Sequence, residues 1–327
     1  MRLRMRTALV AIAALALTAA VPVAVAKAAP GQGLQSAHDP GATRVVTLDP
    51  STSGNNPEGV AWDGRSQTFF VGTVGTGTIY RASLPDTTLR PFITPDPGGP
   101  ADSAVGMKVS GGNLFVAGGA TGSIYVYQIS SGALLARFET GPGGFLNDLV
   151  VTSKGDVYVT DSFRPKLWHL SPAMVKARSG VPGSIDVAPE IAYTANQFNL
   201  NGIVARRGGQ ELVVVSTFSK SLFRIDIDPA NTAARTITKI DAPDLAGDGL
   251  LIDRGQLLVV TGGPAAVTVL NLSGRDSRAR VDRVLTDPSL RGPSTIARAG
   301  DRYLVVNADF ATNTQPYTVS DLARGHR

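Results

Sequence analysis

Four oxygen-bearing side chains recur at one phase of an internal repeat in this sequence. They are Glu58, Asn147, Asn201 and Asp248. Each stands before a short apolar segment, which leads through a Gly-containing turn into a second, more apolar segment. Two carboxylates and two amides at one point form an all-oxygen cage, which is the ligand set that a hard cation such as Ca²⁺ prefers. The pattern therefore predicts a divalent cation site; a hydrogen-bonded polar plug is the alternative.

The residue after each of these side chains begins a repeat unit, and two further units complete the series. The units begin at Gly59, Gly106, Asp148, Gly202, Gly249 and Thr295, in steps of 42 to 54 residues. Each unit contains short β-branched and aromatic runs separated by Gly, Asp and Asn, which are typical of strands and tight turns. Third and fourth strands follow, for example at 123–127 and 133–138. Four strands at this period are the blade of a β-propeller.

The fold class that follows is all-β, a six-bladed β-propeller with four-stranded blades. The last repeat runs out near 317–319, one strand short. The strand-like segment 43–48 precedes the first repeat, so it can supply the missing edge and close the ring. We therefore predict a propeller over 43–327. A pair of β-sandwiches explains neither the repeat nor the extra strand.

The first 42 residues are predicted to lie outside this domain. Arg2, Arg4 and Arg6 precede an Ala- and Leu-rich stretch and a small-residue cleavage site at 24–26, so residues 1–26 are interpreted as a signal peptide. Residues 27–42 are interpreted as a flexible leader. We expect a secreted, extracellular protein with no membrane attachment after cleavage; an uncleaved membrane anchor is the alternative.

Composition excludes several classes of site. Cysteine is absent, so disulfides, thiolate nucleophiles and Cys-ligated zinc are excluded. The three histidines, His38, His169 and His326, do not fall near the cage phase, which disfavours zinc. The formal charge of +5 falls to +2 without the three Arg of the signal, and no Lys/Arg cluster with interleaved aromatics occurs. We therefore expect that the protein does not bind nucleic acid. We also expect it to be a monomer.

The cage could support hydrolysis. A cation with open coordination positions polarises an ester or lactone carbonyl, or the P=O of a phosphoester. A cage carboxylate could then act as base or nucleophile, with Asp248 the first candidate and Glu58 the second. A cation held only for rigidity would use the same residues. The equivalent positions of the other two repeats carry Val105 and Ser294.

Residues near the cage in the predicted fold are candidates for substrate contacts. They are Phe145, Phe198, Phe163, Phe218 and Ser294. Apolar rings around a Lewis acid suit an apolar or aromatic ester or lactone, whereas blade packing is the plain structural alternative for each ring. Asp148 follows Asn147 directly and is expected to orient it through a hydrogen bond.

The cage segments resemble those of the calcium-dependent six-bladed propeller hydrolases: the gluconolactonase/regucalcin (senescence marker) family, diisopropyl fluorophosphatase and the paraoxonases. In that group a Glu, two Asn and an Asp from successive blades hold the catalytic calcium. The resemblance implies these roles for Glu58 in Pro-Glu-Gly, Asn147 in Asn-Asp, Asn201 in Asn-Gly and Asp248 in Asp-Gly. It covers the chain from about residue 44 onward, through short motifs only.

The sequence also departs from this group. Phe145 stands where the sugar lactonases commonly carry an Arg, which argues against a polyhydroxylated sugar lactone. The paraoxonase histidines have no counterpart, and Gly59 replaces a ligand of their second ion, so one calcium is expected. The resemblance implies a calcium-dependent hydrolase of lactones or esters, with phosphotriesters as a side activity. The alternatives are a non-enzymatic, calcium-stabilised propeller that binds a ligand or protein on its top face, and a lyase or strictosidine-synthase-like activity.

Overall fold

The computed structural model describes residues 42–324, except 85, 97, 98, 100, 229, 231 and 232. The predicted signal peptide, and the predicted leader up to residue 41, lie outside the described residues. The cage residues and all the predicted substrate-contact residues lie inside them.

Strands dominate the described part of the chain, as the sequence predicted. The strands are β1 Arg44–Leu48, β2 Pro57–Asp63, β3 Thr68–Thr73, β4 Ile79–Ser83, β5 Thr88–Ile93, β6 Met107–Ser110, β7 Asn113–Ala117, β8 Ser123–Gln128, β9 Leu134–Glu139, β10 Leu146–Val151, β11 Val157–Asp161, β12 Lys166–Leu170, β13 Gly183–Asp186, β14 Leu200–Arg206, β15 Glu211–Ser216, β16 Ser221–Ile227, β17 Ala234–Lys239, β18 Gly247–Asp253, β19 Gln256–Thr261, β20 Ala266–Ser273, β21 Arg278–Leu285, β22 Pro293–Ala299, β23 Arg302–Asn307 and β24 Thr318–Ala323. A short α-helix, α1, covers Pro172–Ala177, and one 3-10 turn covers Arg207–Gly209. The all-β prediction is confirmed.

The strands pair in consecutive antiparallel groups of four. The groups are β2–β5, β6–β9, β10–β13, β14–β17 and β18–β21, and β22–β24 are joined by β1. Strand β1 runs antiparallel to β24, with Val45 opposite Ser320. It also meets β5 through a short parallel stretch at Thr47 and Leu48, so that eight strands form one continuous sheet. The first and last parts of the described chain are therefore hydrogen-bonded to each other.

The first strand of each group lies against the first strands of the groups on either side. Contacts join β2 to β6, β6 to β10, β10 to β14, β14 to β18, β18 to β22, and β22 back to β2. This arrangement brings the starts of these strands, where the cage residues stand, toward one axis.

The second strands are buried on both faces because a neighbouring sheet covers each side. Every residue of β11, β15, β19 and β23 is buried. The apolar clusters lie between adjacent groups; one packs Tyr158 and Leu167 of the third group against Leu200 and Val214 of the fourth. Burying such a side chain contributes roughly 1.5–3 kcal/mol, so the sheets are held together mainly by these layers.

The longest repeat step, from Asp148 to Gly202, has a structural cause. Helix α1 lies between β12 and β13, and the connection 187–199 follows β13 before the chain enters β14. This connection places Phe198 just before the start of β14, where Asn201 lies. Across the described residues, no helix combines the length and apolar character needed to cross a bilayer.

A group of two buried carboxyls and two partly exposed arginines joins the two sheets that carry Asn201 and Asp248. Glu211 on β15 lies 3.1 Å from the Arg207 Nε, and Asp276, in the turn after β20, lies 3.0 Å from Arg206 Nη1. Burial raises the pKa of Glu211 to about 7, with a hydrogen bond to Asp276 adding to the shift and the two arginines opposing it. The folded chain therefore keeps a proton on Glu211 that the unfolded chain releases near pH 4.5.

Because the folded state binds this proton more tightly, its stabilising effect is present at low pH and is lost as pH rises toward 7. We expect Glu211→Gln to remove this dependence, so that the unfolding free energy falls by roughly 1–2 kcal/mol less between pH 4.5 and 7, after allowance for the half-exposed Arg207. Urea unfolding of both proteins across this range measures the effect. Parallel curves would contradict it.

Candidate metal centre

All four predicted cage residues lie in β-bulges. A bulge inserts an extra residue into a strand and turns its side chain away from the regular alternation, and bulges are frequent beside functional sites. The breaks in register fall between Pro57 and Val60, Leu146 and Leu149, Leu200 and Ile203, and Gly247 and Leu250. The last group has the same break around Ser294. In the second group, β6 begins only at Met107, after Val105.

The glycines that follow the cage residues are required by close approach of adjacent bulges. A Cβ on Gly59 would overlap the carbonyl of Val105, and one on Gly202 would overlap the carbonyl of Asp248. A Cβ on Gly249 would lie 2.7 Å from the Cα of Thr295. Neighbouring strand starts are thus in backbone contact around the axis, which is why a side chain is excluded at these positions.

Hydrogen bonds between neighbouring groups fix the backbone of the cage. Ser294 Oγ donates to the Glu58 carbonyl at 2.8 Å, and Thr295 Oγ1 donates to the same oxygen at 2.6 Å. Thr160 Oγ1 donates to the Asn201 carbonyl at 2.6 Å. Ser294, predicted to contact substrate, is buried, and its hydroxyl proton is used to hold Glu58.

The central observation is that, of six buried side-chain oxygens without a hydrogen-bond partner in the described residues, four belong to the predicted cage. They are Glu58 Oε2, Asn147 Oδ1, Asn201 Oδ1 and Asp248 Oδ1, one from each predicted cage residue. An unsatisfied buried polar group costs about 1–3 kcal/mol, so four at equivalent bulges need a common explanation. A cation bound by all four oxygens would supply it. The arrangement therefore fits a hard cation.

Ser162 determines which way the Asn147 amide faces. Its hydroxyl donates to the Leu200 carbonyl at 2.6 Å, so it can only accept from Asn147 Nδ2, which lies 3.0 Å away. The amide nitrogen is thereby turned toward Ser162, which leaves Oδ1 for the cage. Ser162 was not identified from the sequence, although a hydroxyl directly after a second strand was an available signal.

The two cage carboxyls lie in a strongly desolvated, negative environment. Burial raises the pKa of Glu58 well above its usual value, and the carboxylates of Asp248 and Asp148 raise it further, against an opposing effect of Lys108. Burial also raises the pKa of Asp248 to about 7, with a hydrogen bond from Asn201 lowering it and Asp148 raising it. A divalent cation would reverse this preference for the neutral forms.

Asp148 is buried beside the cage, and its bonds join three sheets. Its Oδ1 lies 3.0 Å from Lys108 Nζ and accepts from the Leu149 amide at 2.8 Å. Its Oδ2 accepts from the Ile203 amide at 3.4 Å. Asp148 was predicted to orient Asn147, but the hydrogen bond that orients that amide is the one Asn147 Nδ2 donates to Ser162 Oγ. Lys108 was not identified from the sequence.

Three of the predicted phenylalanines form one cluster near the cage. The ring centroids of Phe145 and Phe198 are 5.1 Å apart, those of Phe163 and Phe198 are 5.2 Å apart, and those of Phe145 and Phe163 are 5.7 Å apart. Phe163 is 43% exposed. Phe218 is 48% exposed, and its amide donates to the Phe198 carbonyl at 3.1 Å. These rings form an apolar, partly exposed surface, and Phe145 and Phe198 lie close in sequence to Asn147 and Asn201.

Two buried polar residues hold these aromatic loops in place. Asp161 Oδ1 accepts from the amides of Phe145 and Phe163, at 3.0 and 3.1 Å. Asn199 Nδ2 donates to the Ser162 carbonyl at 3.0 Å and so ties the connection 187–199 to the end of β11. Neither role was predicted, because the bonds from Phe145 to Asp161 and from Asn199 to Ser162 join segments that only the folded chain brings together; the bond from Phe163 to Asp161 is local.

Other metal chemistries find no support in the described part of the chain. No group of three His, Cys, Asp or Glu side chains placed to hold a metal occurs there. A cation at this centre must therefore use amide oxygens as well as carboxylates. His169 lies in the third sheet, where its Nε2 is 2.8 Å from Asp156.

Comparisons with known proteins bear on the fold. No family model matches this chain, and a search of curated proteins finds no match. A gluconolactonase from Xanthomonas campestris is 18% identical with a TM-score of 0.61, over 86% of this chain and 90% of that one. Regucalcin from Agrobacterium tumefaciens, a calcium-binding protein, is 15% identical with a TM-score of 0.62, over 86% and 97%. Virginiamycin B lyase from Staphylococcus aureus is 11% identical with a TM-score of 0.56, over 86% and 99%. The chain has the fold of gluconolactonase and regucalcin structures, as the resemblance of its cage segments predicted.

Proposed function

We propose that this chain is a calcium-dependent hydrolase of lactones or esters, with phosphotriesters as a side activity. The observation that carries the proposal is the set of four buried, unsatisfied oxygens on Glu58, Asn147, Asn201 and Asp248. The fold shared with a gluconolactonase and with a calcium-binding regucalcin adds support.

A six-bladed propeller over residues 43–327 is the architecture we infer. Six antiparallel groups of four strands, whose first strands contact one another in a closed series, support it. The pairing of β1 with β24 supports closure of the last blade by the N-terminal strand. In a propeller the starts of the first strands converge on the axis, which is where an ion bound by four blades must lie.

Calcium suits the cage because it accepts six to eight oxygens in flexible geometry. Two carboxylates balance its charge, and four protein ligands leave positions for water and a substrate oxygen. When bound, the ion would polarise a carbonyl or phosphoryl oxygen. Export of the chain, through the signal peptide proposed at 1–26, would place the site where calcium is plentiful.

Asp248 is the proposed base or nucleophile. It is partly exposed, whereas Glu58, Asn147 and Asn201 are buried. A partly exposed carboxylate can take a proton from water or attack a carbonyl carbon, whereas a buried one is better placed to hold an ion. Glu58 is the second candidate for the same role.

The cluster of Phe145, Phe163 and Phe198 supports an apolar or aromatic substrate. Its loops are tied down by Asp161 and Asn199, so the surface is formed in advance of binding. Phe145 offers no charge to a polyhydroxylated sugar. Phe218 borders Phe198 and extends the same surface.

A second candidate is a calcium-stabilised propeller that binds a ligand or partner without turnover. It is favoured by the position of His169 on β12, where it pairs with Asp156, and by the use of the Ser294 hydroxyl in holding Glu58. The acid–base groups assigned to the site are then the cage carboxyls of Asp248 and Glu58.

Calcium should stabilise the chain through the cage. We expect millimolar calcium to raise Tm by several degrees or more, because the ion binds only the folded state. Asn201→Leu should weaken calcium binding at least tenfold, since it removes one ligand. Val105→Ala, at the equivalent position without an oxygen, should lower Tm but keep the calcium-induced rise. Calorimetry and thermal unfolding measure both, and an unchanged calcium response in Asn201→Leu would contradict the cage.

Hydrolysis should depend on calcium and on Asp248. On a panel of lactones and aryl esters, we expect activity to vanish with chelator and return with calcium. Asp248→Asn should lower kcat by about 10²–10⁴-fold, the usual contribution of a general base. Asp156→Asn, a carboxylate change beside His169, is the matched control and should retain activity. No turnover on any substrate, with Tm still raised by calcium, would favour the binding protein.

Phe163 should select apolar substrates. Phe163→Ala should lower kcat/KM for phenyl or long-chain esters about tenfold relative to acetate esters, since it removes apolar contact area. Phe310→Ala, which alters another exposed ring on a different loop, is the control and should leave this ratio unchanged. Equal losses across all substrates in Phe163→Ala would show that the ring acts by packing alone.

A further inference from the structure

A cavity lined by four arginines lies at the other end of the fourth sheet from the candidate metal centre. Asn201 stands at the start of β14, and Arg207 directly follows the last residue of that strand. An extended strand of this length corresponds to roughly 20 Å. The cavity has a volume of about 600 Å³, and its arginines are Arg207, Arg224 on β16, Arg235 on β17 and Arg275 in the turn between β20 and β21. It is therefore a different site from the cage.

Positive charge exceeds negative charge around this cavity. Of the described residues that line it, only Glu211 and Asp226 carry a carboxyl group. Two more carboxylates pair with the lining arginines from outside, and one of these also pairs with a fifth arginine. Together the charged residues are Arg206, Arg207, Arg224, Arg235 and Arg275 against Glu211, Asp226, Asp228 and Asp276. The excess is larger while Glu211 holds its proton, because burial raises the pKa of Glu211 to about 7.

Arg275 presents an unpaired guanidinium to the cavity. Among the described residues its side chain has no hydrogen bond and no ion pair, and the residue is exposed. Its backbone is nevertheless held in place, since the Arg275 carbonyl accepts from Arg224 Nη1. The next residue, Asp276, is buried and lies 3.0 Å from Arg206 Nη1. The turn therefore positions a cation whose donors the fold itself does not use.

Other groups of the cluster also lack partners. Arg224 Nη2 donates to Asp226 at 3.1 Å, whereas the buried Arg224 Nε has no hydrogen-bond partner. Of the five buried side-chain atoms without a partner in the described residues outside the cage, three belong to this cluster: Arg206 Nη1, Arg224 Nε and Glu211 Oε1. Buried polar atoms without partners are rare. Here two are nitrogen donors and the third belongs to a carboxyl that can hold a proton, so the missing partner is an acceptor.

The lining also restricts the ligand. Among the described lining residues none is aromatic, and only Ile227 is apolar. The cavity therefore offers neither stacking for a nucleobase nor an apolar surface. Guanidinium groups bind phosphate oxygens through paired, charge-assisted hydrogen bonds.

We propose that this cavity binds a small, polar molecule that carries a phosphate group, with Arg275 and Arg224 donating to the phosphate oxygens. Arg235 lies on the same cavity and is 59% exposed, so it can contribute from the rim. The inference is independent of the proposed calcium site.

Isothermal titration calorimetry of the full chain with inorganic phosphate, at low ionic strength and with chelator present, tests the site. We expect the wild type to bind phosphate and Arg275→Asn to bind it about tenfold more weakly or worse, since a charge-assisted hydrogen bond is lost. Asn accepts the left-handed conformation of Arg275, φ 55°, more readily than Arg, so the variant should fold. Arg254→Asn is the matched control. Arg254 is exposed, has φ 48° in the turn between β18 and β19, and does not line the cavity.

Arg254→Asn should keep the wild-type affinity. Sulfate should compete with phosphate because it has the same tetrahedral shape, whereas acetate at equal concentration should not. If Arg275→Asn does not fold, Arg235→Gln gives the same test at an exposed position.

Absence of phosphate binding by the wild type would overturn the proposal, as would unchanged affinity in Arg275→Asn. Equal losses in Arg275→Asn and Arg254→Asn would show attraction by overall charge rather than a site. Acetate binding as tight as phosphate binding would overturn the ligand class. Calcium binding by Arg275→Asn should match the wild type, so the failure of either proposal leaves the other standing.

Discussion

The structure depends on the electrostatics of a crowded, dehydrated axis. The carboxyl groups of Glu58 on β2, Asp148 on β10 and Asp248 on β18 influence one another electrostatically in a desolvated environment, and at low dielectric such repulsion is strong. Lys108 offsets part of this charge, and four oxygens from the cage residues remain without donors. A bound cation would both reduce the repulsion among the carboxylates and satisfy the oxygens that lack donors. Folding, ion binding and catalysis would then share a single site.

The fold provides this geometry through a repeated local device. At the start of four first strands, a bulge turns one polar side chain out of the regular alternation. After three of them a glycine allows the neighbouring backbone to approach, as at Gly59 and Gly202. Buried second strands such as β15 hold each sheet rigidly behind the bulge. Bulges on rigid strands hold the cage side chains more precisely than flexible loops would.

The sequence predicted the features that recur among the repeats, which are the strands and the polar residues before them. It did not predict contacts between residues that are distant in the chain. Periodic polar residues at fixed phase identified Glu58 and Asp248, and β-branched runs with Gly turns identified the strands. Ser162, Asp161 and Lys108 were not identified, because the contacts that matter most for each lie on another segment of the chain: Asn147 for Ser162, Phe145 for Asp161 and Asp148 for Lys108. Asp148 was singled out because it follows Asn147 in the sequence. In the structure its carboxylate bonds to Lys108 and to the Ile203 amide, which lie on other strands.

A crystal structure of the chain grown with calcium, with anomalous scattering used to locate the ion, tests the central claim most directly. We expect one anomalous peak at about 2.3–2.6 Å from Glu58 Oε2, Asn147 Oδ1, Asn201 Oδ1 and Asp248 Oδ1, the usual range of calcium–oxygen distances. A cage filled by water, or amides of Asn147 and Asn201 turned to donate to the two carboxylates with no peak between them, would contradict the account.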